Sequence, residues 1–264
     1  MELRCKRSKR FTNGVVYGLV THDGYPIEVT DTFLPSYTRD AVGRRQNKLE
    51  TTDVGSRADR WMIGVSTMSG CPVRCRFCAT GQLKRWRNLT AEEIVAQVEY
   101  VVERAGCRPE DADEFKINYT RMGEPFLNIA EVRRAIELID AKFPGVRVHH
   151  YVSTIGIEGA DYSWIRDNVT LQISLHSLDT ERRDWLIPYR HKASIEALGE
   201  IRTASQLKTT VNLTLVERAD FDIVELRANF APEVFFIKLS PINPNKTSEH
   251  NELGRGIVEG NNLV

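Results

Sequence analysis

Three of the five cysteines in this chain lie within eight residues, in the segment GCPVRCRFCATG. Cys71, Cys75 and Cys78 have the spacing C-x3-C-x2-C, and clustered thiolates bind zinc or an iron–sulfur cluster. A closed zinc site needs a fourth ligand, commonly from a second paired motif, and no C-x2-C or H-x3-H segment follows. A four-iron cluster held by three cysteines leaves one iron open to a small molecule. A zinc-binding or interaction protein that uses these cysteines and a histidine remains the non-enzymatic alternative.

The composition favours a cytoplasmic enzyme. The 264 residues carry 36 Lys and Arg against 36 Asp and Glu, which argues against a generic, charge-driven nucleic-acid binder. Two local basic segments, RCKRSKR and LKRWR, still supply positive charge. Trp86, within the second segment, is able to stack on a base. No apolar run reaches membrane-spanning length and none follows the basic N-terminus, so we expect no membrane span and no secretory signal. An odd number of cysteines does not suit a disulfide framework.

Alternating strand and helix patterns must position the cysteines. From Trp61 onward six strand patterns alternate with helical segments, which predicts parallel strands joined by right-handed crossovers and an α/β fold class. An open doubly wound sheet and a partial barrel are both compatible with this pattern. The segment LTAEEIVAQVEYVVERAG is predicted to be a helix that begins after Thr90 and ends at Gly106. The segment DYSWIRDN is predicted to be a short helix.

The predicted domain organisation has three parts. Residues 1–60 are predicted to form a β-hairpin and loop extension, with a turn at His22-Asp23-Gly24. Residues 61–244 contain the alternating strands and helices. Residues 245–264 are polar and rich in Gly and Asn, which predicts an irregular C-terminal tail.

Small polar residues follow several of the predicted strands. Because ligands of parallel α/β folds bind at the carboxyl ends of strands, these positions are candidates for a binding site. Gly123 allows a ligand to approach the backbone closely, and the carboxylate of Glu124 is suited to an ammonium group. Hydroxyl, imidazole and amide groups at the other strand ends suit a ribose and an adenine edge. The candidates are Gly123, Glu124, Ser153, Ser174, His176 and Asn243.

The cysteine segment resembles that of the radical SAM enzymes, in which an aromatic residue, here Phe77, precedes the third cysteine. The resemblance implies that the three cysteines hold a [4Fe-4S] cluster whose open iron binds the amino and carboxylate groups of S-adenosylmethionine. It implies reductive cleavage of the sulfonium to a 5′-deoxyadenosyl radical, with a flavodoxin or ferredoxin as electron donor. It also implies a partial (β/α)6 radical SAM barrel, here with a short N-terminal β-rich segment.

Further segments resemble the ribosomal-RNA adenine methyltransferases of the RlmN/Cfr type. RNLTAEEIVAQV, MGEPFLN, STIG, ISLHSLDTERRDWLIP and NPN occur in that family's order and approximate spacing, over roughly Glu50 to Asn243. By this resemblance Glu50 corresponds to a proposed proton acceptor. The residues implied to contact S-adenosylmethionine are Gly123, Glu124, Ser153, Ser174, Leu175, His176 and Asn243.

The chain departs from that family at several positions. Gly64 stands where the family has the first of two cysteines needed for methyl transfer, and we expect the second, C-terminal cysteine to be missing as well. Arg121 replaces a Gly before Met-Gly-Glu-Pro and Arg190 replaces an Asn after Ile-Pro, and both are able to bind an anionic substrate.

The sequence therefore predicts direct hydrogen abstraction from a nucleotide-like or other anionic substrate, without methyl-cysteine chemistry. The alternative is a nucleic-acid-modifying enzyme, or a methyltransferase of the RlmN/Cfr type that uses a variant mechanism. A small molecule or nucleotide is the expected substrate, nucleic acid is a further candidate partner, and no membrane is expected to be one.

Overall fold

A computed structural model describes residues 2–39, 45–46, 54–215, 220–254, 258–259 and 262–263. Glu50, the predicted proton acceptor, lies outside the described residues. The strands are β1 Arg4–Phe11, β2 Gly14–Val20, β3 Pro26–Leu34, β4 Thr38–Arg39, β5 Arg45–Gln46, β6 Arg60–Gly64, β7 Met68–Ser69, β8 Arg87–Asn88, β9 Glu114–Tyr119, β10 Val148–Thr154, β11 Val169–Ser174, β12 Thr209–Leu215, β13 Phe235–Pro241, β14 Val258–Glu259 and β15 Asn262–Leu263. The α-helices are α1 Ala91–Ala105, α2 Ile129–Lys142, α3 Thr180–Leu186, α4 Ile195–Gly199, α5 Ile223–Asn229 and α6 Lys246–His250.

The chain forms two compact units. Unit 1 comprises Met1–Ser69, Leu89–Met122 and Ile129–His150, and unit 2 comprises Gly70–Asn88, Gly123–Asn128 and Tyr151–Val264. The predicted domain boundaries at residues 60 and 244 remain predictions. The last part of the chain, predicted to be irregular, includes the helix α6.

Unit 1 has a sheet with the strand order β1-β2-β3-β6-β9. Strands β1, β2, β3 and β6 pair antiparallel, whereas β6 and β9 pair parallel. The predicted turn connects β2 to β3: the Gly24 N–H donates to the Thr21 carbonyl at 3.0 Å, and Gly24 has a positive φ of 87°. The N-terminal β-rich segment is therefore confirmed.

The two long helices of unit 1 follow from capping and apolar spacing. At the start of α1, Thr90 and Glu93 form a reciprocal capping box, and Gly106 ends the helix with a left-handed φ of 68°, as predicted. Both helices bury one apolar stripe. A buried hydrogen-bond chain also connects β9, β10 and α2, from the Tyr119 hydroxyl through His150 to the Asp140 carboxylate.

The sheet of unit 1 has one apolar and one polar face. Side chains alternate along β6 and β9, so that Trp61, Ile63 and Ile117 are fully buried. The alternate positions of these strands point to the opposite, polar face. There Gly64 of β6 pairs with Asn118 of the parallel strand β9 and with Thr30 of the antiparallel strand β3. Residues that pair across strands point to the same side, so position 64 faces polar neighbours at the carboxyl end of β6.

Unit 2 has parallel strands in the order β11-β12-β13. Their carboxyl ends lie at one edge of the sheet, as the alternating pattern predicts. A buried apolar cluster lies in this unit; its members are Val73, Ile155, Leu186, Ile187, Ile242 and Leu253. Observed strands match all six predicted ones, β6 and β9 to β13, so the α/β class is confirmed.

The helix predicted over residues 161–168 does not form. The segment makes successive turns instead, in which the Asp161 carboxylate accepts from the Ser163 N–H at 2.8 Å and the Asn168 side chain accepts from Arg166. Short polar side chains that bond to nearby groups in this way compete with helix formation, and eight residues are too few to outweigh them.

Candidate functional site

The three clustered cysteines lie in unit 2, in a loop that is bent sharply by its own backbone. Arg74, between the first two cysteines, has a left-handed φ of 57°, and the Cys78 N–H donates to the Cys75 carbonyl at 3.0 Å. Gly81 packs against this bend, because a Cβ at that position would lie 2.7 Å from the Arg74 Cα. We call residues 70–81 the cysteine loop.

Side chains from distant parts of unit 2 hold the cysteine loop. The Arg76 Nε donates to the Trp185 carbonyl at 2.9 Å, and its backbone N–H donates to the Leu186 carbonyl at 2.9 Å. From the other side, the amide of Asn245 donates to the Phe77 carbonyl and that of Asn251 to the Arg76 carbonyl, both at 2.9 Å. Sequence reasoning missed the role of both asparagines: Asn245 ends the NPN segment, of which only Asn243 was named as a candidate, and Asn251 belongs to none of the quoted segments.

The environment of the thiols is partly buried and apolar. Cys71, Cys75 and Phe77 pack against the buried apolar cluster of unit 2. Burial, together with the neighbouring thiols and Glu124, raises the pKa of the Cys71 thiol to about 12 and that of Cys75 well above its usual range. Thiols in such a place stay protonated unless a metal displaces the protons.

The spacing of the thiols fits an iron–sulfur cluster better than a single zinc ion. Zinc holds its sulfur ligands at about 2.3 Å, so the sulfurs of one site lie close together. Among the described residues, the one group of three or more His, Cys, Asp or Glu ligand atoms within 4.8 Å of one another is His22, Asp23 and Glu93. The three thiols are therefore spread more widely, as a larger polynuclear group requires, and the donor set of three sulfurs fits [4Fe-4S].

Glu124 is a buried carboxylate in unit 2, with 3% of its surface exposed. Its Oε1 accepts from the Phe126 N–H at 3.1 Å and its Oε2 from the Ile155 N–H at 2.9 Å. Burial raises the pKa of Glu124 to about 7 despite these hydrogen bonds. An ammonium group bound beside it would favour the charged form and lower this pKa again. Gly123 before it has a φ of 106°, a conformation that L side chains rarely adopt.

A buried arginine, Arg183, supports Glu124 indirectly, through the residue Ile155. Arg183, with 3% of its surface exposed, donates from Nη2 to the Ile155 carbonyl at 2.9 Å and from Nη1 to the Ala193 carbonyl at 2.8 Å. The Ile155 N–H in turn donates to Glu124. Arg183 thus holds the carbonyl of the residue whose N–H holds the carboxylate, and sequence reasoning missed this supporting residue. The signal for it was an arginine inside the ISLHSLDTERRDWLIP segment.

The strand-end candidates of unit 2 lie where the sequence placed them, near the carboxyl ends of their strands. Ser153 is the penultimate residue of β10, and its hydroxyl donates to the Gln172 side chain at 3.0 Å. Ser174 ends β11. The Leu175 side chain is buried and its N–H donates to the Asn212 carbonyl, so the group that it can offer to a ligand is its own carbonyl.

His176 is neutral and strained. It has a left-handed φ of 67°, and such backbone strain concentrates at functional sites. Its Nδ1 accepts from the Thr214 N–H at 3.3 Å, which places the ring proton on Nε2. Burial and, to a smaller extent, the Arg183 charge lower the pKa of His176 to about 4. The ring lies edge-on to Phe77 of the cysteine loop, with 4.8 Å between centroids.

Two candidates of unit 2 are exposed. Asn243 follows β13, and its carbonyl accepts from the Asn245 amide at 3.1 Å. Arg190 is an exposed residue beside a cavity of about 430 Å³, which Arg183 and Lys192 also line. Asp184 lines the cavity too and pairs with Lys192 at 2.6 Å, so three cations and one anion leave the lining with a net positive charge.

Gly64 and Arg121 lie in unit 1, and Arg121 occupies the space beside the glycine. A Cβ at position 64 would lie 2.5 Å from the Thr30 Oγ1 and 3.0 Å from the Arg121 Cδ. The guanidinium forms an ion pair with Glu28, while its Nε is buried without a hydrogen-bond partner. Burial lowers the pKa of Arg121. Position 64 is thus closed by an arginine rather than open to a side chain of its own.

The fold and the cysteine loop define an α/β enzyme that holds an iron–sulfur cluster. The family model of the radical SAM superfamily matches residues 65–228, and the chain belongs to this superfamily. Enzymes of this family use a [4Fe-4S] cluster and S-adenosylmethionine, so both cofactors are assigned to this chain.

The compared proteins agree with this assignment. The chain is 34% identical to a probable dual-specificity RNA methyltransferase RlmN from Chlorobium phaeobacteroides over 231 residues, which cover 83% of this chain and 63% of that protein. It is 33% identical to the protein of the same name from Mycolicibacterium gilvum, over 80% of this chain and 62% of that one. The chain therefore spans less than two thirds of the length of these relatives.

A solved structure of a radical SAM methyltransferase from Sphaerobacter thermophilus is similar to this chain, with a TM-score of 0.63 and 25% identity, over 92% of this chain and 67% of that one. The predicted fold class, a partial (β/α)6 radical SAM barrel with an N-terminal β-rich segment, is confirmed by this neighbour. Across the described residues, none of the helices combines the length and the apolar character that crossing a membrane requires.

Proposed function

We propose that this radical SAM enzyme abstracts a hydrogen atom directly from a nucleotide-like, anionic substrate, and that this substrate is a nucleotide of an RNA. The names of the compared relatives, which are RNA methyltransferases, support RNA as the substrate. The observation that carries direct abstraction is the closed position 64, where Thr30 and Arg121 fill the space beside a glycine. Glycine has no side chain with which to form a covalent bond to a nucleic-acid base.

The residues of unit 2 would bind the cofactors. Cys71, Cys75 and Cys78 would hold the [4Fe-4S] cluster, which supplies an electron that splits S-adenosylmethionine into methionine and a 5′-deoxyadenosyl radical. Glu124 would bind the methionyl ammonium, because its carboxylate is held in place by two backbone N–H groups. The remaining contacts would come from Gly123, Ser153, Ser174, Leu175, His176 and Asn243.

Two arginines would bind anionic groups of the substrate. Arg121 in unit 1 has a buried Nε that lacks a hydrogen-bond partner, and a phosphate or carboxylate oxygen would satisfy it. Arg190 in unit 2 lies beside the cationic cavity. Glu50, outside the described residues, is proposed as a proton acceptor. We further propose a flavodoxin or ferredoxin as reductant and the cytoplasm as location.

A second candidate function is methylation of an RNA base, favoured by the names of the relatives and of the structural neighbour. The two functions differ in the origin of the hydrogen that 5′-deoxyadenosine acquires. In direct abstraction a C–H bond of the RNA breaks and 5′-deoxyadenosine gains the hydrogen atom; the RNA radical rearranges and then takes one electron from the reductant and one proton. In methylation the hydrogen of 5′-deoxyadenosine does not come from the RNA, and the RNA gains a carbon from the methyl group of S-adenosylmethionine.

Anaerobic turnover with isotopically labelled reactants tests the proposal. Reconstituted enzyme is incubated with a reductant, S-adenosylmethionine carrying a labelled methyl group, and RNA transcribed from deuterated nucleotides. We expect deuterium from the RNA in 5′-deoxyadenosine and no methyl label in the RNA. Methyl label in adenine would reject direct abstraction and establish the second function, whereas unmodified RNA and no deuterium transfer would reject both. The matched control is the Cys75→Ala enzyme, which should give neither product.

A further inference from the structure

Strand β1 of unit 1 is an exposed and strongly basic edge strand. It is the first strand in the sheet order, and all eight of its residues, RCKRSKRF, are exposed. Five of the eight are Lys or Arg, in a chain whose formal net charge is zero. The strand holds five of the chain's 36 Lys and Arg and no Asp or Glu, so it is a local cationic segment.

A β-bulge in β1 places three of the five cations on the same face of the strand. The register pairs Cys5 with Leu19 and then Arg7 with Gly18, so Lys6 is an extra residue in β1. In a regular strand Arg4 and Arg7 would point to opposite faces, because side chains alternate. With the extra residue, one face carries the residues opposite Val20, Gly18, Val16 and Gly14. They are Arg4, Arg7, Lys9 and Phe11.

Contacts on that face agree with the register. The side chain of Arg7 lies across Gly18, where a Cβ would be 2.9 Å from the Arg7 Cγ. The Lys9 ammonium lies over the Phe11 ring at 5.0 Å from its centroid, and Phe11 is 47% exposed. We call the set Arg4, Arg7, Lys9 and Phe11 the basic face.

The other face of β1 has different partners. Cys5 and Arg10 pair with Leu19 and Val15, which are both buried. Tyr17 on the same side contacts the Tyr100 ring of α1, with 5.4 Å between centroids. The β2 residues on this side face the core of unit 1, whereas Arg10 itself is exposed. Arg10 thus has the same charge and the same strand as Arg7 but belongs to the opposite side.

We propose that the basic face binds the phosphate backbone of a single-stranded segment of the RNA substrate, with Phe11 stacking on a base. This inference rests on the proposed RNA substrate. Cations spaced along a strand neutralise successive phosphates, and an exposed aromatic ring adds sequence-tolerant stacking. Charges on an edge strand also prevent pairing with a second sheet, but that role does not require them to share one face.

Matched variants of the full-length, reconstituted enzyme test the basic face. Binding of a labelled single-stranded RNA of about 16 nucleotides is measured across a salt series. Each phosphate contact to a single strand contributes a slope of about 0.7 in log K against log salt.

We expect Arg7→Gln to weaken binding about fivefold near 0.1 M salt, and Arg4→Gln/Arg7→Gln/Lys9→Gln to weaken it about 100-fold and to flatten the slope by about 2. Arg10→Gln should change binding by less than about twofold, as expected for a charge that makes no phosphate contact. Phe11→Ala should weaken binding at least about fivefold without changing the slope.

The outcomes separate the surface from the proposed function. If the wild-type enzyme modifies RNA and Arg7→Gln and Arg10→Gln bind alike, the basic face is wrong and the function stands. If the wild-type enzyme neither binds nor modifies RNA, the proposed function fails and the surface fails with it. Loss of binding to phosphatidylserine vesicles in the triple variant, with RNA binding unchanged, would also overturn the assignment. Dimers or larger assemblies formed by the triple variant alone would indicate that the charges serve only to protect the edge.

Discussion

Unit 1 and unit 2 each place a charged side chain after a strand, half-buried Arg121 in one and buried Glu124 in the other, and they stabilise it in different ways. In unit 2 two backbone N–H groups hold the Glu124 carboxylate, and burial raises its pKa to about 7. In unit 1 the Arg121 guanidinium forms an ion pair with Glu28. A cation that enters unit 2 therefore gains from stabilising the ionised carboxylate, whereas an anion that enters unit 1 competes with a carboxylate already present. This difference suits a cofactor site with a fixed ligand and a substrate site that exchanges its partner.

The largest expected effect is the loss of the cluster. Cys75→Ala removes one of three sulfur ligands, so we expect iron and sulfide to fall to near background and cleavage of S-adenosylmethionine to stop. Iron analysis and the visible absorption spectrum measure this. The matched control is Cys107→Ala in unit 1, which should keep its cluster. Equal iron in both variants would exclude Cys75 as a ligand.

The next effect concerns Glu124 and pH. Removing the charge with Glu124→Gln should weaken binding of S-adenosylmethionine about 10- to 100-fold, because a charge-assisted hydrogen bond contributes about 1.5–3 kcal/mol. Since the pKa of Glu124 is about 7, wild-type affinity should rise as the pH rises through neutrality, and the variant should lose this dependence. Equilibrium binding at a series of pH values measures both.

The same pKa has a consequence for stability. Burial raises the pKa of Glu124 above its unfolded value, so the folded apoenzyme binds a proton that the unfolded chain releases. The contribution of Glu124 to stability is complete below its unfolded pKa and is lost as the pH rises through the folded pKa. Denaturant unfolding of wild-type and Glu124→Gln apoenzymes should therefore diverge between about pH 4.5 and pH 7, with the variant less sensitive to pH. Parallel profiles would contradict the burial of an ionisable carboxyl.

A smaller effect on cofactor binding should come from Arg183. Arg183→Gln leaves the Ile155 carbonyl without its charged donor, so we expect affinity for S-adenosylmethionine to fall about 3- to 10-fold. A merely structural role would lower stability alone. A positioning role also loosens the Ile155 N–H that holds Glu124, and so shifts the midpoint of the binding pH profile upward. Arg182→Gln is the control, because Arg182 pairs with Asp220 instead.

An effect on stability alone, with none on the cofactors, should come from Gly64 in unit 1. Gly64→Ala places a Cβ 2.5 Å from the Thr30 Oγ1, so we expect the free energy of unfolding to fall by about 1–3 kcal/mol with no change in iron content. Thr30→Ala in the same chain removes the clashing oxygen and should restore part of the loss. Denaturant unfolding measures both variants, and an unaffected Gly64→Ala protein would show that the position is open.

The cofactors of this enzyme were predictable from the sequence, and the reason is chemical. Cys71, Cys75 and Cys78 remain predicted ligands; their spacing is one that a single loop can satisfy, so the prediction depends on local order alone. The α/β class and helix α1 with its Thr90 cap also follow from local patterns, and both are confirmed. The cofactor contacts at the strand ends remain predictions.

The supporting contacts were not predictable, because each joins segments that are distant in sequence. Asn245 and Asn251 reach the cysteine loop from α6 and its cap, and Arg183 reaches Ile155 from α3. The occupied space beside Gly64 depends on Thr30 and Arg121, which only the sheet register brings together. The short helix predicted near Asp161 was wrong because local side-chain hydrogen bonds outweighed its weak periodicity.

The contacts that anchor the cysteine loop have a consequence for insertion of the cluster into the enzyme. In a zinc finger the metal creates the fold, and the peptide is unstructured until the ion arrives. Here the left-handed Arg74, the close approach of Gly81 and the hydrogen bonds from both asparagines hold the loop through atoms other than the cysteine sulfurs. Because these contacts do not use the sulfurs, we expect the enzyme to stay folded through insertion, loss and repair of the cluster.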